Sequence, residues 1–144
     1  MAPYIMVVIL FLVTDRLLKS LAVNDYFEKT FKLVGNLLVI NYTKNYQLAF
    51  SLPFNSSWAV ILIIIIIIAL LYYFVSLLYR NSFIEAGILL FIISGAASNL
   101  YDRLKYGYVI DYLDLKYFTV FNLADVMIVS GILWFLAAEY KKGR

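Results

Sequence analysis

Residues 58–79 read WAVILIIIIIIALLYYFVSLLY, and this stretch decides the fold class. Six consecutive isoleucines, Ile63 to Ile68, sit inside it, and Ser76 is its only residue that is not apolar or aromatic. About 20 such residues cross a bilayer as a helix. Hydrocarbon offers no partner to a backbone N–H or C=O, so every group must be paired within the segment. Trp58 stands at one end and Tyr72, Tyr73 and Tyr79 lie towards the other, where amphipathic rings favour the headgroup region.

Working outward, three more segments are apolar with polar interruptions. Tyr4 to Ala22 is apolar as far as Val13 and then carries Asp15, Arg16 and Lys19. Phe83 to Leu100 holds Glu85 near its start and Ser94, Ser98 and Asn99 near its end. Phe118 to Ala138 contains Asn122 and Asp125. The reading is a mainly α membrane protein forming a single domain over 1–144. Its four transmembrane helices run over about 4–22, 58–79, 83–100 and 118–138, with a tight turn at 80–82 and both termini on one side. The first segment lacks the basic start and small-residue end of a cleavable secretory signal, so it reads as a retained helix. Lysines and arginines fall on both sides of the four spans, and charge counting leaves the orientation open.

Composition agrees and removes whole classes of chemistry. Of 144 residues, 65% are apolar and 15% charged, against about 45–50% and about 25% in soluble domains. A chain this short cannot hide so much apolar surface in water. It has no Cys and no His, so a disulfide framework, a thiol nucleophile, a Ser-His-Asp relay and a zinc site on imidazole or thiolate are all excluded. Neither a metal nor a cofactor is expected, and a net charge of +3 makes no case for nucleic acid.

Between the spans, Leu37 to Thr43 is rich in β-branched and aromatic residues and predicts a short strand, broken later by Pro53 and Asn55 to Ser57. Residues 107–114 carry Asp111 and Asp114 at strand-like spacing. Four polar clusters gather towards the face opposite the termini. Asp15 and Lys19, four apart on one helix face, predict a structural ion pair. Asn45 is a candidate amide donor. In the stretch 94–103, small residues permit close helix approach, Asn99 can hydrogen-bond between helices, and Asp102 beside Arg103 reads either as a surface pair or as site support. Asn122 and Asp125 open the last span and would serve equally as a helix cap.

A short loop between Asp111 and Asp125 can bring two carboxyls face to face. Such a pair cannot ionise twice cheaply, so it holds one proton, with one member able to take a proton from water and the other to polarise a carbonyl. This is the aspartic-protease arrangement, and it needs no His, Cys or metal. An ion-conducting or transport protein, and a non-catalytic scaffold, also place carboxylates and asparagines between helices.

These residues closely resemble the lipoprotein signal peptidases, or signal peptidase II family. The family's Asp-x-x-x-Lys is matched by Asp15 and Lys19, and its Asn-Tyr-Gly-x-Ala-Phe-Ser by Asn45 to Ser51. Its Gly-Asn-x-x-Asp-Arg is similar to the run up to Asn99, Asp102 and Arg103, and its Gly-x-Val-x-Asp-Phe to Gly107 through Tyr112. Its Phe-Asn-x-Ala-Asp is present unchanged as Phe121 to Asp125. Gln47, Ser94 and Ser98 stand where Gly is usual, and the interval between Asp111 and Asp125 is short.

The resemblance implies four transmembrane helices with an extracytoplasmic β-cradle and a small amphipathic segment, in the bacterial inner membrane, with both termini cytoplasmic. It implies Asp111 and Asp125 as the catalytic pair near the outer leaflet. Asn45, Asn99, Asp102, Arg103, Asn122 and Ala124 would bind substrate or support the site. The implied substrate is a diacylglyceryl-modified prolipoprotein, cut before its lipidated Cys. Membrane lipid and globomycin-type cyclic peptides would be its other ligands, and a monomer is expected.

Overall fold

The computed structural model describes residues 1–24, 31–46 and 56–142, with Ser56, Ser57, Ala59, Glu139 and Lys142 described by their backbone alone. Four long helices dominate these residues: α1 (Ala2–Val23), α2 (Ser56–Tyr79), α3 (Phe83–Tyr106) and α4 (Leu123–Lys142). The four strands are β1 (Phe31–Val34), β2 (Leu38–Asn45), β3 (Val109–Leu115) and β4 (Val120–Phe121). They form one antiparallel sheet in the order β1-β2-β3-β4.

The third helix is the axis of the bundle, and α1, α2 and α4 all pack on it. Between α2 and α3 lies a cluster of Leu77, Ala86, Ile88, Leu89, Ile92 and Ile93. The outer faces are as apolar as the interior: Leu10, Ile65, Ile68 and Leu133 are each at least 57% exposed, a surface that water would not tolerate over so many turns. Two helices among the described residues are long and apolar enough to cross a membrane, α2 over Val60–Tyr79 and α3. The apolar part of α4 is shorter, Leu123–Ala138.

Local chemistry explains the joints. The turn after α2 places Asn81 at φ 56°. Asn81 N–H donates to Leu78 O at 3.0 Å and Ser82 N–H to Leu77 O at 3.0 Å, the paired bonds that consume the last orphan carbonyls of a helix. The tight turn expected at 80–82 is therefore present. Gly107, at φ 80°, ends α3 and donates its N–H to Arg103 O, a left-handed position that side chains with a Cβ resist. The chain then turns directly into β3.

Two boundaries differ from the sequence reading. Helix α3 continues past Leu100 to Tyr106: Arg16 and Lys19 of α1 hold Asp102 on its inner face, and Gly107 ends it. Helix α4 starts at Leu123 rather than at 118, because Val120 and Phe121 pair with Asp114 and Leu113 as a hairpin and Asn122 then caps the helix. The strand expected over Leu37 to Thr43 is β2, shifted to Leu38–Asn45. Pro53, Asn55 and the Gln47–Ser51 part of the second motif lie outside the described residues, and no short amphipathic helix occurs within those described.

Candidate active site

One end of the bundle gathers the last turns of α1 and α3, the first turn of α4, and the strands β2 and β3. The hairpin β3–β4 folds the chain back so that Asp111 and Asp125 meet on either side of Asn122. The amide of Asn122 donates from Nδ2 to Asp111 Oδ1 at 2.7 Å. The same residue makes a reciprocal cap with Asp125: Asp125 N–H donates to Asn122 Oδ1 at 2.9 Å, and Asn122 N–H to Asp125 Oδ2 at 3.2 Å. This is a capping box with an acid at its third helical position. The cap and the candidate acid are one structure, so the two readings of Asn122 and Asp125 are not alternatives.

Each carboxyl has a second amide. Asn45 Nδ2 donates to Asp111 Oδ2 at 2.8 Å, and Asn99 Nδ2 to Asp125 Oδ1 at 2.8 Å. The register sets the first of these, since Thr43 lies opposite Asp111 and Asn45 is its diagonal neighbour on the same face. Asp114 is excluded by the same geometry. Three residues along the strand, its side chain points to the opposite face, where Asn41 Nδ2 donates to it at 3.0 Å.

Burial pushes the Asp111 carboxyl up to about 6, and the like charge of Asp125 adds to the effect, while the amides of Asn45 and Asn122 and the charge of Lys19 oppose it. Beside it opens a cleft of about 300 Å³, lined by Thr43, Lys44, Asn45, Tyr46, Thr119 and Val120.

Beneath the pair lies a buried ionic network. Lys19 and Asp15 form the expected ion pair at 3.1 Å, but both are fully buried, and Lys19 also reaches Asp102 at 2.8 Å. Asp102 is wholly enclosed and pairs with Arg16 at 2.6 Å. The surface pairing of Asp102 with Arg103 is thus overturned: two cations from α1 draw Asp102 inward. Arg103 instead lies in the electrostatic field of Asp125, Asp111 and Asp102. Lys19 donates to Asn99 Oδ1 at 2.8 Å, which fixes the amide so that its nitrogen faces Asp125. Among the described residues every buried side-chain nitrogen and oxygen has a partner, the condition under which a buried polar network is tolerable.

The expected site residues Asp15, Lys19, Asn45, Asn99, Asp102, Asp111, Asn122, Ala124 and Asp125 therefore fall in one continuous network. Ala124 contributes its backbone N–H, which donates to Asp15 Oδ1 at 3.2 Å, and its carbonyl lies against Gly95. A Cβ on Gly95 would stand 2.6 Å from Ala124 O. Three participants were not foreseen as such. Arg16 was visible only as an extra charge in α1, and Ser98 was read as a packing residue, although its Oγ donates to Asp15 at 2.6 Å. Tyr112 gave no signal beyond a strand aromatic, yet its hydroxyl donates to Asp15 Oδ1.

Comparison with known proteins bears on this arrangement. Residues 7–141 match the family described as signal peptidase (SPase) II. The chain is 34% identical over 134 residues to the lipoprotein signal peptidase of Clostridioides difficile (strain 630), covering 91% of this chain and 90% of that one. It is 34% identical over 135 residues to that of Caldicellulosiruptor bescii, covering 91% and 86%. Two solved structures, each described as a bacterial membrane enzyme determined by the in meso method, align with TM-scores of 0.84 and 0.80. Both are 22% identical; they cover 99% and 96% of this chain and 90% and 92% of their own. That likeness establishes a shared fold.

Proposed function

The chain belongs to the signal peptidase II family, and from that premise we propose that it is an aspartic endopeptidase. It removes the signal peptide from diacylglyceryl-modified prolipoproteins, cutting before the lipidated Cys, with Asp111 and Asp125 activating the attacking water. The observation that carries this reading is Asn122, which grips both carboxyls at once. A pair held this way shares a proton. One carboxylate takes a proton from the water, and the partner acid hydrogen-bonds the scissile carbonyl and then returns its proton to the leaving amine. A positioned acid or base of this kind contributes about 10²–10⁴-fold, and the titration belongs to the pair rather than to either member.

The remaining groups support this chemistry. Asn45 and Asn99 orient one carboxyl each. Arg103 supplies positive charge beside the pair, and the cleft next to Asp111 admits an extended peptide. Asp15, Lys19 and Asp102 hold the floor. The single domain crosses the inner membrane four times with both termini cytoplasmic, acts as a monomer, and opens its site near the outer leaflet. At about 1.5 Å per residue, the 22 residues of α1 and 20 of α4 reach roughly 30 Å, the thickness of a hydrocarbon core. The charges of α1 are answered inside the protein, which makes their depth affordable. The gathering of polar groups at one end of the bundle disfavours transport, whose sites sit more often at the midplane between broken helices.

The test is a proteoliposome assay with a lipid-modified precursor. Asp111→Asn and Asp125→Asn are each expected to insert normally and to lose cleavage, and Asp114→Asn to retain it. Globomycin-type cyclic peptides are expected to block the wild-type reaction. Normal turnover by either of the first two variants refutes the paired-carboxyl assignment.

A further inference from the structure

The N-terminus of α4 leaves backbone N–H groups that the helix itself cannot satisfy, and each of the first three is met by a different side chain. Asp125 N–H is taken by Asn122, Ala124 N–H by Asp15, and Leu123 N–H by the hydroxyl of Tyr112 at 3.1 Å. Tyr112 also donates to Asp15 Oδ1 at 3.1 Å. One oxygen thus ties three elements together: α1 through Asp15, β3 through its own backbone, and α4 through Leu123.

The location gives this tie its consequence. Tyr112 follows Asp111 on β3, and strand alternation sends the two side chains to opposite faces. Asp111 turns towards the cleft. Tyr112 turns inward with Ile110 against Ala22, where none of its surface is exposed. Both residues therefore grip the first turn of α4, one through the Asn122 amide and one through the Leu123 N–H, from the two sides of a single strand. The separation of Asp111 from Asp125 is the separation of β3 from that first turn.

Resting on the paired-carboxyl reading above, we infer that Tyr112 is a positioning residue whose hydroxyl sets the spacing between Asp111 and Asp125. The motif this segment resembles ends in Phe, so the hydroxyl is a feature of this chain rather than of the motif. Burial and the neighbouring charge of Asp15 hold the phenol well above its ordinary range, so it keeps the proton it donates. The charged groups around the joint are Asp15 and Lys19 on α1, Asp102 and Arg103 on α3, and Asp125 on α4.

The test is kinetic, on the full-length protein in proteoliposomes. Tyr112→Phe preserves the ring and removes one oxygen. Its kcat is expected to fall about three- to tenfold, part of the worth of the two bonds removed, one to a carboxylate and one from a backbone N–H, with KM unchanged. The alkaline limb of its pH–rate profile should move to lower pH, because a looser pair raises the acid's affinity for its proton less.

Ile88→Val, in the α2–α3 cluster, is expected to lower the melting temperature comparably while leaving kcat and the profile unchanged. Leu123→Pro removes the donor at the helix position where proline is favoured, and its loss combined with Tyr112→Phe is expected to be less than additive. Unchanged kcat and profile in Tyr112→Phe, or strict additivity in the double variant, overturns the inference while Asp111→Asn and Asp125→Asn remain inactive. Activity in those two variants removes the paired-carboxyl reading and this inference together.

Discussion

Replacing Asp111 with Asn should make the protein more stable at neutral pH and inactive at every pH. Its carboxyl is raised from 3.8 to about 6, and at about 1.4 kcal/mol per unit this corresponds to about 3 kcal/mol. Between those two pH values the native protein still holds the proton that the unfolded chain has released. The native state then binds more protons, so stability falls as pH rises through this window. The penalty is complete above about 6 and absent below 3.8.

An amide cannot ionise and escapes the penalty. It accepts on one oxygen only, however, so either Asn45 or Asn122 loses the acceptor it has now, at a cost of about 1 kcal/mol. Protonated Asp111 already has that same donor and acceptor pattern. Wild type and Asp111→Asn should therefore melt together at pH 4, and the variant should be more stable by about 3 kcal/mol at pH 8, roughly 6–12 °C for a chain of this size. Thermal unfolding in detergent micelles at the two pH values, followed by Trp fluorescence, measures the difference. The same offset between the two proteins at both pH values, or a less stable variant at pH 8, would mean that ionised Asp111 does not destabilise the fold.

Two further perturbations probe the support beneath the site. Lys19→Met leaves Asp15 and Asp102 enclosed with their shared cation gone. Breaking a buried pair from one side costs about 3–5 kcal/mol, so the yield of folded protein and its melting temperature should both drop sharply; an unchanged melting temperature would contradict the network. Gly95→Ala drives a Cβ to 2.6 Å from Ala124 O, costing about 1–3 kcal/mol and displacing the turn that carries Asp125. Gly131→Ala meets instead the Ile92 side chain, a strain more than a helical turn beyond Asp125, so cleavage assays should find activity lost in the first variant and largely kept in the second.

Composition and the spacing of near neighbours settle one part of this molecule. An uninterrupted apolar run from Trp58 to Tyr79 has one solution in hydrocarbon, and a chain with no His or Cys leaves acid–base work to carboxyls. The strand core from Leu38 to Thr43, the turn at Asn81 and the Asp15–Lys19 pairing were legible because each depends on residues a few positions apart. The other part rests on contacts between distant segments. Whether Asp102 faces solvent or the interior depends on Arg16, 86 positions away, and on the buried ammonium of Lys19. Asp111 rather than Asp114 joins Asp125 because of sheet register, which a shift of one residue would reverse. The role of the Tyr112 hydroxyl arises only where three chain segments meet. Burial and long-range pairing fix a side chain's charge state and partners, and neither is written in the spacing of neighbouring residues.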